Sequence, residues 1–204
     1  MEEEKLPAGP TRTVSPYNAA NLLTVLRLVL VPVFLGLAVS SGLTGTPAHF
    51  AACLVFMAAS ATDFADGWIA RRWSLITPFG QLADPIADKA LTGTAFVLLS
   101  AFDRLPWWVT LLILTREWGV TALRLWVVRH GVIPAGRGGK AKTVLQVVTL
   151  TWYLWPAPAS LDPIGVGLIT AATVLTVTTG VVYLIGAVRL RYGQGTAVPP
   201  RQNL

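Results

Sequence analysis

Residues 63–89 read DFADGWIARRWSLITPFGQLADPIADK, and four carboxylates, Asp63, Asp66, Asp84 and Asp88, stand there between long apolar runs. Ionised groups in such a setting are costly unless they are paired or bind something. Asp63 and Asp66 are three residues apart and Asp84 and Asp88 four apart, so on a helix each pair shares one face. Thr77 followed by Pro78 has the N-cap and first-position chemistry of a helix start. Two helices are therefore predicted, joined by the short connection 73–77. That makes them antiparallel neighbours and lets the two acidic pairs converge.

The chain around this stretch is built for lipid. Of 204 residues, 53% are hydrophobic and only 13% charged, and the mean hydropathy of +0.60 is far above that of a soluble domain. Several apolar runs approach the roughly 20 residues that cross a hydrocarbon core, and they lack the alternation of barrel strands. The expected fold is an all-α integral membrane protein with six transmembrane helices. Residues 1–17 are expected to form a polar lead-in, 18–192 the six-helix transmembrane domain, and 193–204 a polar tail. The spans are predicted near 18–41, 48–72, 77–102, 106–130, 143–155 and 165–188, with a Gly- and Lys-rich linker at 131–142. The acidic start MEEEKLPAGP differs from the basic head of a signal peptide, so the first span is expected to stay as an anchor.

The net charge of +6 does not indicate nucleic acid, because Lys and Arg cluster at the ends of apolar runs and form no stripe with interleaved aromatics. They read as topology signals. Loops after spans one, three and five hold only Arg104, whereas the alternate side holds Lys5, Arg12, Arg71, Arg72, Arg129, Arg137, Lys140, Lys142, Arg189, Arg191 and Arg201. By the positive-inside rule both termini and the aspartate-bearing connection are expected to face the cytoplasm, with Trp107, Trp108 and Trp155 at the outer interface. Cys53 is the sole cysteine, which excludes an internal disulfide and fits a small buried hydrophobe.

Counting about 1.5 Å per residue puts all four aspartates just inside the cytoplasmic edge of the membrane. So many carboxylates repel one another unless protonated or bridged by cations, and hard divalent ions such as Mg²⁺ or Mn²⁺ take oxygen ligands of this kind. No His or Cys cluster offers a softer metal site. A two-metal site would suit phosphoryl transfer. Gly67, Ala70 and Gly80 would let a bulky ligand lie against helix backbone, and Arg71 could meet a diphosphate. The alternative is that intramembrane carboxylates glue helices together or line a cation path, as in a transporter. On the fourth span Glu117 is too little to neutralise Arg116, Arg124, Lys140 and Lys142 together, and Arg189 could add to the surplus. An anionic substrate fits that surplus.

The same residues resemble the signature of the CDP-alcohol phosphotransferase family: D, two residues, DG, two residues, AR, eight residues, G, three residues, D, three residues, D. Asp63, Asp66, Gly67, Ala70, Arg71, Gly80, Asp84 and Asp88 fill every fixed position. The resemblance implies that the four aspartates hold two divalent cations, Mg²⁺ or Mn²⁺, and that Asp88 is also the catalytic base. It implies a CDP-diacylglycerol site at Gly67, Ala70, Arg71 and Gly80, with Asn21, Thr24 and Thr77 close by. For Asn21 and Thr77 helix capping is an equal and compatible reading.

The stretches NLLTVLRL, REWGVTALR, GKAKTVLQ and LADPIADK are similar to the bacterial branch that accepts sn-glycerol 3-phosphate and yields phosphatidylglycerol phosphate and CMP. That branch implies an acceptor-phosphate site among Arg116, Arg124, Lys140, Lys142 and Arg189, a bacterial cell-membrane location and a homodimer. The rival acceptors within the family are myo-inositol 3-phosphate and phosphatidylglycerol.

Overall fold

The computed structural model describes residues 19–73, 77–127 and 137–192. They form α1 (Ala19–Ser41), α2 (Pro47–Arg72), α3 (Pro78–Ala101), α4 (Trp107–Val127), α5 (Arg137–Leu154), a single 3₁₀ turn (Ala159–Leu161) and α6 (Asp162–Tyr192). No strand occurs among the described residues, and the protein is all-α.

Helix starts follow local chemistry. Thr46 caps α2 by accepting from the His49 amide, with Pro47 in the first position, and Thr77 caps α3 by accepting from the Gly80 amide at 3.1 Å, with Pro78 following. Both arrangements satisfy amides that a helix start leaves orphaned. The reversal between α1 and α2 runs through Gly42, Leu43 and Gly45 at positive φ. Leu43 adopts that conformation despite its Cβ. Its side chain is fully buried and its carbonyl accepts from Arg104 Nη2 at 2.7 Å, which offset the backbone cost.

Two boundaries differ from the sequence reading. Helix α5 begins at Arg137 and not near Thr143, so the last part of the presumed linker is helical although it holds Gly138 and Gly139. Lys142, fixed to Glu117 across the interface, supplies the tertiary hold that overrides poor local propensity. Helix α6 starts at Asp162 and runs 31 residues, beyond both predicted ends.

Helix α1 packs most extensively against α2 and then α3, while α6 packs against α5 and α4. Contacts of α5 with α2 and α3, and of α3 with α4, join the two groups. The core between them holds Phe34 and Phe56, with ring centroids 5.6 Å apart, surrounded by Leu91, Leu99, Ile113, Leu150 and Leu154. Ala38, Ala52, Ala59 and Ala95 are fully buried and let the helices approach closely. At one end Arg104 bonds the α1–α2 loop and Phe50 meets Trp155 edge-on at 5.7 Å. The ends that follow α1, α3 and α5 therefore gather together.

By length and composition, α1, α2 and α6 each contain a stretch able to cross a membrane, Asn21–Ser41, Pro47–Ile69 and Asp162–Val188. Helices α3, α4 and α5, at 24, 21 and 18 residues, reach about 36, 32 and 27 Å but bear the charges of the site. Leu22, Val29, Val39, Leu54, Val174 and Val182 face outward, whereas Arg27, Asp66 and Lys142 are buried. Apolar outside and charged inside is the arrangement that lipid demands.

Candidate active site

One face of α1 organises the acidic stretch. Asn21, Thr24 and Arg27 recur every third residue, so they stack on one side of the helix, and all three are buried. Thr77 Oγ1 donates to Asn21 Oδ1 at 2.9 Å, which joins α1 to the start of α3. Thr24 Oγ1 donates to Asp84 Oδ1 at 2.5 Å. Arg27 Nη1 lies 2.7 Å from Asp63 Oδ1, and its Nη2 donates to Asp66 Oδ2. The two acidic helices thus meet chiefly through α1, where sequence spacing alone predicted a direct pairing of neighbours.

The carboxylates open onto a cavity of about 590 Å³. Asp63, Asp84 and Asp88 line it beside Gly67, and Arg116, Glu117, Lys140 and Lys142 line it from α4 and α5. Asp66 is 3% exposed and is not part of this lining. In the basic half, Glu117 accepts from Arg116 Nη1 at 3.1 Å and from Lys142 Nζ. Arg116 Nη2 also donates to Thr179 Oγ1 of α6 at 2.7 Å. It passes so near α6 that a Cβ on Gly180 would sit 3.1 Å from its Cγ and Nε. Lys89 Nζ is 6.0 Å from the centroid of the Trp118 ring, at the limit of a cation–π contact.

Of the residues singled out by sequence, Asp63, Asp84, Asp88, Gly67, Arg116, Lys140 and Lys142 share this one cavity. Asn21, Thr24, Thr77 and Gly80 form an adjoining polar cluster, so tight that a Cβ on Gly80 would fall 2.9 Å from Asn21 Oδ1 and 3.3 Å from Thr77 Oγ1. Ala70 and Arg71 lie in the last turn of α2, Arg124 in α4 and Arg189 in α6; their side chains lie outside the described residues. Sequence reasoning passed over Arg27, Thr179 and Gly180. Arg27 did carry a signal: a lone charge inside an apolar span is functional by default.

The donor chemistry of the acidic half, carboxylate oxygens alone, fits a hard divalent cation. As the side chains stand, no three His, Cys, Asp or Glu among the described residues form a group that could hold a metal. Arg27 draws Asp63 and Asp66 toward α1, and Thr24 holds Asp84. Divalent binding there requires these carboxylates to regroup toward the cavity.

The sequence matches the CDP-alcohol phosphatidyltransferase family across residues 17–183, and the chain belongs to that family of membrane transferases. It is 49% identical over 172 residues to the "Probable phosphatidylglycerophosphate synthase" of Mycobacterium tuberculosis strain H37Rv, covering 84% of this chain and 82% of that protein. It is 38% identical over 177 residues to the "CDP-diacylglycerol--glycerol-3-phosphate 3-phosphatidyltransferase" of Escherichia coli K12, covering 84% and 95%. The protein of the same name from Shigella flexneri is equally similar, 38% over 177 residues.

Proposed function

We propose that the protein transfers the phosphatidyl group of CDP-diacylglycerol to sn-glycerol 3-phosphate, releasing phosphatidylglycerol phosphate and CMP. The observation that carries this reading is a single cavity divided into a carboxylate half on α2 and α3 and a cationic half on α4 and α5. The names of the relatives from Mycobacterium tuberculosis and Escherichia coli support the same acceptor. Two bound divalent cations would supply charge stabilisation for the diphosphate and the departing phosphate.

In this mechanism Asp88 takes the proton of the acceptor's primary hydroxyl. The hydroxyl oxygen forms a bond to the lipid-side phosphorus, and the bond from that phosphorus to the CMP oxygen breaks, its electron pair leaving with CMP. The nucleotide rests against Gly67, Ala70 and Gly80, with Arg71 on the diphosphate. Thr24 fixes Asp84, and Asn21 fixes Thr77. Arg116, Lys140 and Lys142 hold the acceptor phosphate, with Arg124 and Arg189 as further candidates, while Glu117 keeps Arg116 and Lys142 converging. The acyl chains stay in the bilayer and enter between helices. Both termini and the site face the cytoplasm of a bacterial cell membrane, a topology supported by the gathering of the Arg-poor ends that follow α1, α3 and α5. The protein works as a homodimer.

The test is a radiolabelled acceptor panel with purified protein, CDP-diacylglycerol and Mg²⁺ or Mn²⁺. CMP release is expected with glycerol 3-phosphate, is lost on adding EDTA and returns with excess Mg²⁺. Release only with myo-inositol 3-phosphate or phosphatidylglycerol would reassign the acceptor. Cation flux in liposomes without CMP release would replace the enzyme by a transporter.

A further inference from the structure

Arg27 is among the largest fully buried side chains of the described residues, at 0% exposure, and it touches two carboxylates at once. Its two contacts are unlike. Nη2 donates a true hydrogen bond to Asp66, whereas Nη1 lies 2.7 Å from Asp63 as an ion pair without hydrogen-bond alignment, and Nε has no partner among the described residues. The two acids differ as well. The Asp66 side chain is 4% exposed and that of Asp63 32%, and only Asp63 lines the cavity.

A buried guanidinium with two nitrogens, Nε and Nη1, lacking hydrogen bonds is a poor way to gain stability, because desolvation of the charges and the unmade bonds offset much of the attraction. Its use lies in its charge. Two acids three residues apart on a helix in an apolar bundle need a cation nearby, and Arg27 supplies one from within the chain.

We propose that Arg27 is the resident counter-cation of the acidic half. It neutralises Asp63 and Asp66 while no divalent ion is bound, and releases their carboxylates toward the cavity when one binds. This rests on the reading of the aspartates as cation ligands. It makes Arg27 a positioning residue whose effect registers in metal binding, apart from turnover.

The experiment is thermal unfolding of the full-length protein in detergent, with EDTA or with Mn²⁺, for wild type, R27Q, D66N and R27Q/D66N. In EDTA, R27Q is expected to melt about 10 °C below wild type, because an uncompensated buried carboxylate remains. Mn²⁺ is expected to raise R27Q by more than it raises wild type, since the ion replaces the missing cation. In EDTA, R27Q/D66N is expected to melt above R27Q.

A Mn²⁺ shift in R27Q equal to or smaller than that of wild type overturns the proposal, as does equal melting of R27Q and R27Q/D66N in EDTA. If R27Q does not accumulate, R27K carries the test. A single ammonium cannot span both acids, so its Mn²⁺ shift should also exceed that of wild type, and a smaller one overturns the proposal. If Mn²⁺ shifts none of the proteins, the metal reading falls and the exchange with it. The Arg27–Asp66 pairing would still register as rescue by D66N, which separates that failure from a failure of the counter-cation itself.

Discussion

The two halves of the cavity are built on opposite patterns. Across α1 and α2, two acids share one cation, with Arg27 between Asp63 and Asp66; across α4 and α5, two cations share one acid, with Glu117 between Arg116 and Lys142. In each half a single countercharge holds a like-charged pair together without cancelling it, so one negative and one positive excess face each other over the cavity. The acidic half hangs on short side chains fixed by helix spacing. The basic half hangs on long, rotatable ones, of which Arg116 is held by Thr179 of α6 and Lys142 by Glu117 of α4. Damage to the first should abolish chemistry, and damage to the second should weaken acceptor binding.

The largest effect is expected from Asp88→Asn. It removes the proposed proton acceptor while keeping shape, and CMP release should fall roughly 10³-fold with an unchanged melting profile; retained activity would remove Asp88 as the base. Lys142→Met probes the other half. Loss of one charge-assisted hydrogen bond to a phosphate should raise the acceptor KM about 10- to 100-fold with little change in the KM for CDP-diacylglycerol. A matching rise in both KM values would show that the halves are not separate.

Gly80→Ala tests whether the acidic half depends on α1. Its Cβ would press on Asn21 Oδ1 at 2.9 Å, and a stability loss of about 1–3 kcal/mol is expected, read as a lower melting temperature. The smallest effect distinguishes two glycines of α6. Gly180→Ala crowds Arg116 at 3.1 Å and should raise the acceptor KM a few-fold, while Gly186→Ala meets nothing within 4 Å and should leave it unchanged. Equal behaviour of the two would mean that α6 does not position Arg116.

The acidic half was largely legible in the sequence because its information is local. The spacings of Asp63 with Asp66 and of Asp84 with Asp88 fix shared faces, and Thr77–Pro78 marks the helix start that brings the second pair in. What the chain order hides is contact across helices. Nothing local reveals that Arg27 reaches α2 or that Thr24 reaches Asp84, and the same holds for Arg116 with Thr179 and for Lys142 with Glu117. The start of α5 was misplaced for a related reason: Gly138 and Gly139 read as linker, and only the partner of Lys142 on α4 explains why that turn is helical.

The clamp of α1 also bears on how the protein is made. Synthesis delivers α1 before α2 and α3, so the cation Arg27 precedes the acids Asp63 and Asp66 that pair with it, and Asn21 and Thr24 precede Thr77 and Asp84. The costly acids enter lipid behind their partner. A chain that carried the same residues in the reverse helix order would have to hold those charges unpaired in the membrane until its last helix was released from the ribosome.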